Sequence, residues 1–229
     1  TGVPNPTVRV VHASPDAPKV NVLLDGDAVL TEVDYKGGSG FVPLDRGIYD
    51  ITVDAITPAG DDTVITANDT RLDADTDYTV LAIGKGATDT VQSLIIQNPI
   101  EAIPDGTTRL QFVHAAPDAP PVDIYLTGQD ADLLAATPID QVTYAAYPAA
   151  RKVVPPGDYQ LRVTPAGDPG TVLFDSGVLP GLRNRDDLLV VLVQNTAAGT
   201  SPVSLVINDR FGTFETLDTD SPSDLRVVH

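Results

Sequence analysis

Apolar residues in this chain alternate with polar ones far more often than they recur at helical spacing. Val8 and Val10, then Val20, Val22 and Leu24, then Ile51 and Val53 fall two residues apart with mostly polar partners between them. That period marks strands with one face buried. Turn residues close the runs at Asp25-Gly26, Gly37-Gly38, Arg46-Gly47, Pro58-Ala59-Gly60, Pro155-Pro156-Gly157 and Pro169-Gly170. Residues 130–136 would make a single short helical turn, and no stretch reads as a long amphipathic helix. Roughly seven or eight short strands per ~100 residues predict an all-β chain of immunoglobulin-like antiparallel β-sandwiches, with a small closed barrel as the alternative that periodicity does not separate.

The pattern repeats. Val10-Val11-His12-Ala13-Ser14-Pro15-Asp16-Ala17-Pro18 returns as Phe112-Val113-His114-Ala115-Ala116-Pro117-Asp118-Ala119-Pro120, and its opening returns as Arg226-Val227-Val228-His229. Gly47-Ile48-Tyr49 aligns with Gly157-Asp158-Tyr159, and Thr57-Pro58-Ala59-Gly60-Asp61 with Thr164-Pro165-Ala166-Gly167-Asp168. Copies about 100 residues apart are long enough to bury a core each and too long for solenoid repeats. The expected organisation is two tandem sandwiches, residues 1–100 and 101–217, followed by residues 218–229 as a linker and the first strand of a truncated third repeat. A proline-bearing joint at residues 98–106 predicts that the two unfold nearly independently. The parent polypeptide is expected to continue past His229 into at least a third unit; a minority alternative has this last strand joining sheets in neighbouring copies. The glycine turn two residues before Tyr49 and Tyr159 predicts tyrosine corners, each hydroxyl bonding nearby backbone.

Composition narrows the partners. Asp plus Glu total 32 against 14 for Lys plus Arg, a net charge of −18, which repels phosphate backbones and anionic lipid and excludes nucleic acid as a partner. Most of the acid is aspartate, a turn residue, and such an excess keeps an extracellular protein soluble. With no cysteine, disulfides, thiol catalysis and thiolate metal sites are excluded. No apolar run approaches the ~20 residues of a membrane span, so direct membrane insertion is not expected.

The recurring opening segment, from Arg9-Val10-Val11-His12-Ala13-Ser14-Pro15-Asp16-Ala17-Pro18 onward, resembles the bacterial and archaeal family called domain of unknown function 4397. The resemblance covers both units and the terminal stub. It implies tandem immunoglobulin-like domains on secreted or surface-anchored proteins, and it supplies no activity and no catalytic residues. Unit two departs from it at Ala116 and Phe112, which leaves the fold reading untouched.

His12, Ser14 and Asp16 are the residue types of a hydrolase triad, but three residues within five positions, interrupted by Pro15, are poorly placed to converge in a line of hydrogen bonds. Unit two has no serine there. The expected role of His12, Asp16, His114 and Asp118 is that of a structural or binding loop, in which aspartate caps backbone amides and the imidazole takes a partner in the same loop. Calcium is the cofactor these carboxylates would suit, at Asp73, Asp75 and Asp77 or at Asp218, Asp220 and Asp224 near a unit junction. The first set is no EF-hand, since Tyr78 and Gly84 stand where glycine and glutamate are required. Otherwise no cofactor is expected. Tyr125, Tyr144 and Tyr147 are the one local group of aromatic rings that could face a ligand. The expected function is a non-enzymatic extracellular or cell-surface structural or adhesion module whose partners are other surface proteins, glycans or copies of itself. A glycan- or ligand-binding module is the alternative, and a hydrolase the remote one.

Overall fold

A computed structural model of the chain describes residues 3–222. The first unit contains eight strands: β1 (Thr7–His12), β2 (Val20–Leu24), β3 (Asp27–Val33), β4 (Val42–Pro43), β5 (Gly47–Thr57), β6 (Gly60–Leu72), β7 (Thr76–Ile83) and β8 (Gln92–Pro99). They form two sheets in the orders β4-β1-β7-β8 and β3-β2-β5-β6. The second unit contains β9 (Thr108–His114), β10 (Val122–Thr127), β11 (Asp140–Val142), β12 (Lys152–Val154), β13 (Gly157–Pro165), β14 (Phe174–Leu182), β15 (Asp187–Gln194), β16 (Val203–Asn208) and β17 (Thr213–Thr216). Its sheets, β12-β9-β15-β16-β17 and β11-β10-β13-β14, repeat the topology of the first with one added edge strand. Each sheet has two free edges, so the units are sandwiches and not closed barrels.

Local sequence explains the elements. Asp25 and Gly26, both at positive φ, turn β2 into β3 as a two-residue hairpin. The phenol of Tyr49 donates to the carbonyl of Asp45 at 2.8 Å and that of Tyr159 to Pro155 at 2.9 Å, so both tyrosine corners form. Glycine leaves room beneath the first ring, where a Cβ at position 47 would stand 3.2 Å from it. One strand pair per unit departs from antiparallel order: β1 runs parallel to β7, and β9 to β15. Alternation carries no information on strand direction, and the long excursion between these neighbours, through the opposite sheet, supplies the crossover that parallel pairing needs.

Three cores hold the chain together. Val8, Val10, Val22, Val53, Tyr78 and Val80 lie inside the first sandwich. Leu110, Phe112, Ile124, Val163, Phe174 and Val190 lie inside the second. The third core joins the units: Val11, Leu81, Ile83 and Ile96 from the first pack against Val113, Leu189, Val191 and Val206 from the second. In β15, Leu188, Val190 and Leu192 face inward while Leu189, Val191 and Val193 face the other unit. Sheets apolar on both faces bury both, and this seam replaces the solvated outer faces that independent sandwiches would require. The joint between units is tied down as well, since Arg151 donates to the Pro99 carbonyl at 3.1 Å and pairs with Glu101 at 2.9 Å. The expected third-unit strand, residues 225–229, lies outside the described residues.

Candidate functional site

The two histidine loops are built identically. Nε2 of His12 donates to the Pro18 carbonyl at 3.0 Å, and its Nδ1 accepts the Ser14 amide at 3.3 Å. In unit two, Nε2 of His114 donates to Pro120 at 2.9 Å and Nδ1 accepts the Ala116 amide at 3.3 Å. These partners assign the proton to Nε2 in both rings. Both side chains are fully buried. Burial pushes their pKa values below the ordinary imidazole range, opposed by the proline carbonyls. A neutral imidazole thus staples the two ends of a proline-rich loop. The hydroxyl of Ser14 donates to the Gly84 carbonyl at 2.8 Å, and Asp16 accepts the amides of Gly86 and Ala87 at 2.8 and 3.0 Å. His12, Ser14 and Asp16 therefore make three separate contacts with backbone and no relay.

Asp118 has left the role its counterpart plays. It pairs with Lys85 of unit one at 2.5 Å, across the seam. Other contacts cross there too. The Tyr35 phenol donates to the Gln194 carbonyl at 2.6 Å, and the Tyr147 phenol to the Ile95 carbonyl at 3.3 Å in the opposite direction. The amides of Asn98 and Gln111 bond to each other at 2.8 Å, while Nη1 of Arg9 donates to the Asn208 carbonyl at 3.5 Å. Burial lowers the Arg9 pKa to about 10, against the attraction of Asp187, Asp77 and Asp209. Lys36 reaches Glu215 at 2.6 Å. Tyr35 and Tyr144 each meet their own unit's histidine edge-on, with centroids 6.1 and 6.0 Å apart. Contacts thus cross the seam in both directions, with donors from unit one reaching unit two and donors from unit two reaching unit one.

The sequence-predicted ligand groups are placed elsewhere. Asp73 is paired with Arg71 at 2.6 Å, Asp77 accepts the hydroxyl of Thr7, and Asp75 occupies a left-handed turn with φ of 61°. Asp218 accepts the amides of Asp175 and Asp220 at 2.7 and 2.8 Å, pinning the tail to β14. Asp224 lies outside the described residues. Among the described residues, no group of three or more His, Asp or Glu side chains could hold a metal ion. The three tyrosines form no platform. Tyr144 and Tyr147 pack against the seam, and Tyr125 is buried in β10 outside that cluster. Arg162, its register partner, donates to the Ala131 carbonyl at 2.6 Å and so draws the loop after β10 over this face.

Sequence reasoning missed a concave site of about 220 Å³ beside the β16–β17 hairpin of unit two. Its floor is Leu179, Leu182, Leu188 and Ile207, and Phe211 and Phe214 stand at its wall. They are the most conspicuous exposed rings of the chain, 84% and 51% accessible. The available signal was Arg210-Phe211-Gly212-Thr213-Phe214, a segment with two phenylalanines for which the repeat alignment gives unit one no counterpart.

A family model described as Domain of unknown function (DUF4397) matches residues 6–125, which spans the whole first sandwich and β9 and most of β10 of the second. No curated protein matches the chain by sequence.

Proposed function

The chain belongs to the DUF4397 family, whose description assigns no function, and from the geometry we propose a non-enzymatic structural or adhesion module of a secreted or cell-surface protein. The observation that carries this reading is the seam. Two sandwiches that share an apolar core and hydrogen bonds in both directions are expected to move as one body, which suits a spacer that must hold a fixed length and orientation. The histidines support it, because each ring is buried with both nitrogens committed to backbone. Strong acidity and the absence of cysteine are compatible with service outside the cell without disulfide support.

The test is antibody staining of unpermeabilised cells of the natural host, paired with an adhesion assay on a deletion strain. Surface staining and weakened adhesion or cell–cell association support the proposal. Staining that requires permeabilisation contradicts it. A second reading, that the module also holds a ligand, is favoured by the concave site at Phe211 and Phe214 and not by the tyrosines.

A further inference from the structure

The concave site of unit two has a composition that selects for ligand chemistry. Four aliphatic side chains form its floor, and Phe211 and Phe214 expose ring faces that a folded monomer has no packing reason to leave in water. Around the rim stand Arg183, Arg210, Asp186, Asp187 and Asp209. Asp187 is neutralised by its ion pair with Arg109. That leaves two guanidiniums and two carboxylates. Among the described residues, neither guanidinium makes an ion pair; Arg210 lies 6.0 Å over the Phe211 ring and donates to the Arg185 carbonyl at 3.4 Å. Asp186 accepts the Arg183 amide at 3.1 Å, and Asp209 accepts the amides of Phe211 and Gly212 at 2.7 and 3.0 Å. Each carboxylate retains a second oxygen, so the rim offers strong acceptors and strong donors in equal number.

An anion at this rim meets two carboxylates, and a cation meets two guanidiniums, so neither charge is favoured. A purely apolar molecule would satisfy the floor and desolvate four charges without replacing their hydrogen bonds, which is costly. A neutral ring whose hydroxyl groups both donate and accept, and whose C–H face can lie on an aromatic ring, satisfies every part. The size agrees: a dry cavity of about 150 Å³ holds a benzene ring, and this site is about 220 Å³, room for one substituted six-membered ring. We propose that the site binds the pyranose ring of a neutral sugar, its C–H face against Phe211 and Phe214 and its hydroxyls between Arg183, Arg210, Asp186 and Asp209. This rests on the ligand-holding reading above and is independent of where the protein resides.

Amide NMR titration of the full chain tests it. The resonances followed are those of Phe211 and Gly212, and the probes are methyl pyranosides of several stereochemistries, cyclohexanol, acetate and ethylammonium. At least one pyranoside is expected to shift both resonances saturably. Phe211→Ala should weaken that binding about tenfold, the size of one lost stacking contact, without changing the melting temperature, because the side chain supports no core. Arg183→Ala, at the other side of the rim, should weaken it as well. If cyclohexanol or a charged probe binds and no pyranoside does, the site holds ligands but the sugar assignment is overturned. If nothing binds at millimolar concentration, the ligand reading falls too. Pyranoside binding that is unchanged in both variants would place the sugar elsewhere and also overturn the proposal.

Discussion

The phenol of Tyr35, in the loop after β3, donates a 2.6 Å hydrogen bond to the carbonyl of Gln194 at the end of β15, so a side chain of one sandwich closes a backbone group of the other. The same phenol is desolvated strongly enough that its pKa rises well above the ordinary tyrosine range, with Glu215 adding to the effect. Tyr35→Phe keeps the ring against His12 and deletes only this bond. It should cost about 1 kcal/mol of stability in a urea melt. Tyr147→Phe, which removes the longer 3.3 Å contact, should cost less. Equal stability of the Tyr35 variant and the parent would mean that the contact contributes nothing.

Val191 is fully buried in the seam, in the cluster that draws side chains from both units. Val191→Asp places an unpaired carboxylate there, at an expected cost of about 3 kcal/mol or more. Because the seam is shared, amide exchange should accelerate in β7 and β15 alike. Faster exchange in β15 alone would show that the first sandwich does not depend on the contact.

His114→Ala removes a buried staple and leaves the Pro120 carbonyl and the Ala116 amide without partners. A loss of about 2–4 kcal/mol is expected, visible as a lower melting temperature. An unchanged melting temperature together with loss of a catalytic activity would overturn the framework role.

The same two rings set a pH dependence. His12 and His114 are held neutral by burial, so their folded pKa values lie below the ~6.5 of an unfolded histidine. As pH falls through ~6.5, the unfolded chain takes up protons that the folded chain refuses. Their contribution is therefore complete above ~6.5 and is lost on acidification, by up to about 1.4 kcal/mol per pH unit for each ring. Urea melts between pH 7.5 and 5.5 should show the decline, and His12→Gln together with His114→Gln should flatten it. A slope unchanged in the double variant would assign the decline to other groups.

Calcium should have no effect on the melting temperature. Asp73 is engaged by Arg71, Asp77 by Thr7, and Asp218 by two backbone amides. A ligand that bound only the folded chain would raise the midpoint by mass action, so a rise in millimolar calcium would show that these carboxylates rearrange around the ion.

The strands, the hairpin at Asp25-Gly26 and both tyrosine corners were legible because each is encoded locally, in alternation or in a turn residue. The histidine loops were legible through repetition. The seam leaves only a trace in the sequence: Leu188-Leu189-Val190-Val191-Leu192-Val193 is a continuous apolar run, the pattern of a strand buried on both faces. Alternation describes one face at a time and does not say what covers the other. Tyr35, Lys36 and Lys85 meet partners more than thirty positions away in sequence, and no local pattern pairs them. Tyr125 looks ligand-facing in the sequence because alternation along β10 does not say whether its face is covered, and in the structure its side chain is buried. The phenylalanine pair of the β16–β17 hairpin has no counterpart in unit one, so repetition carries no signal for it.

The central claim is that the seam makes the two sandwiches one rigid body. Residual dipolar couplings of the full chain in a weakly aligning medium test it most directly. If the claim holds, amides of residues 7–99 and of residues 108–216 fit a single alignment tensor with the orientation given by the structure. Two tensors of different magnitude or rhombicity would show that the sandwiches reorient independently, and would contradict it.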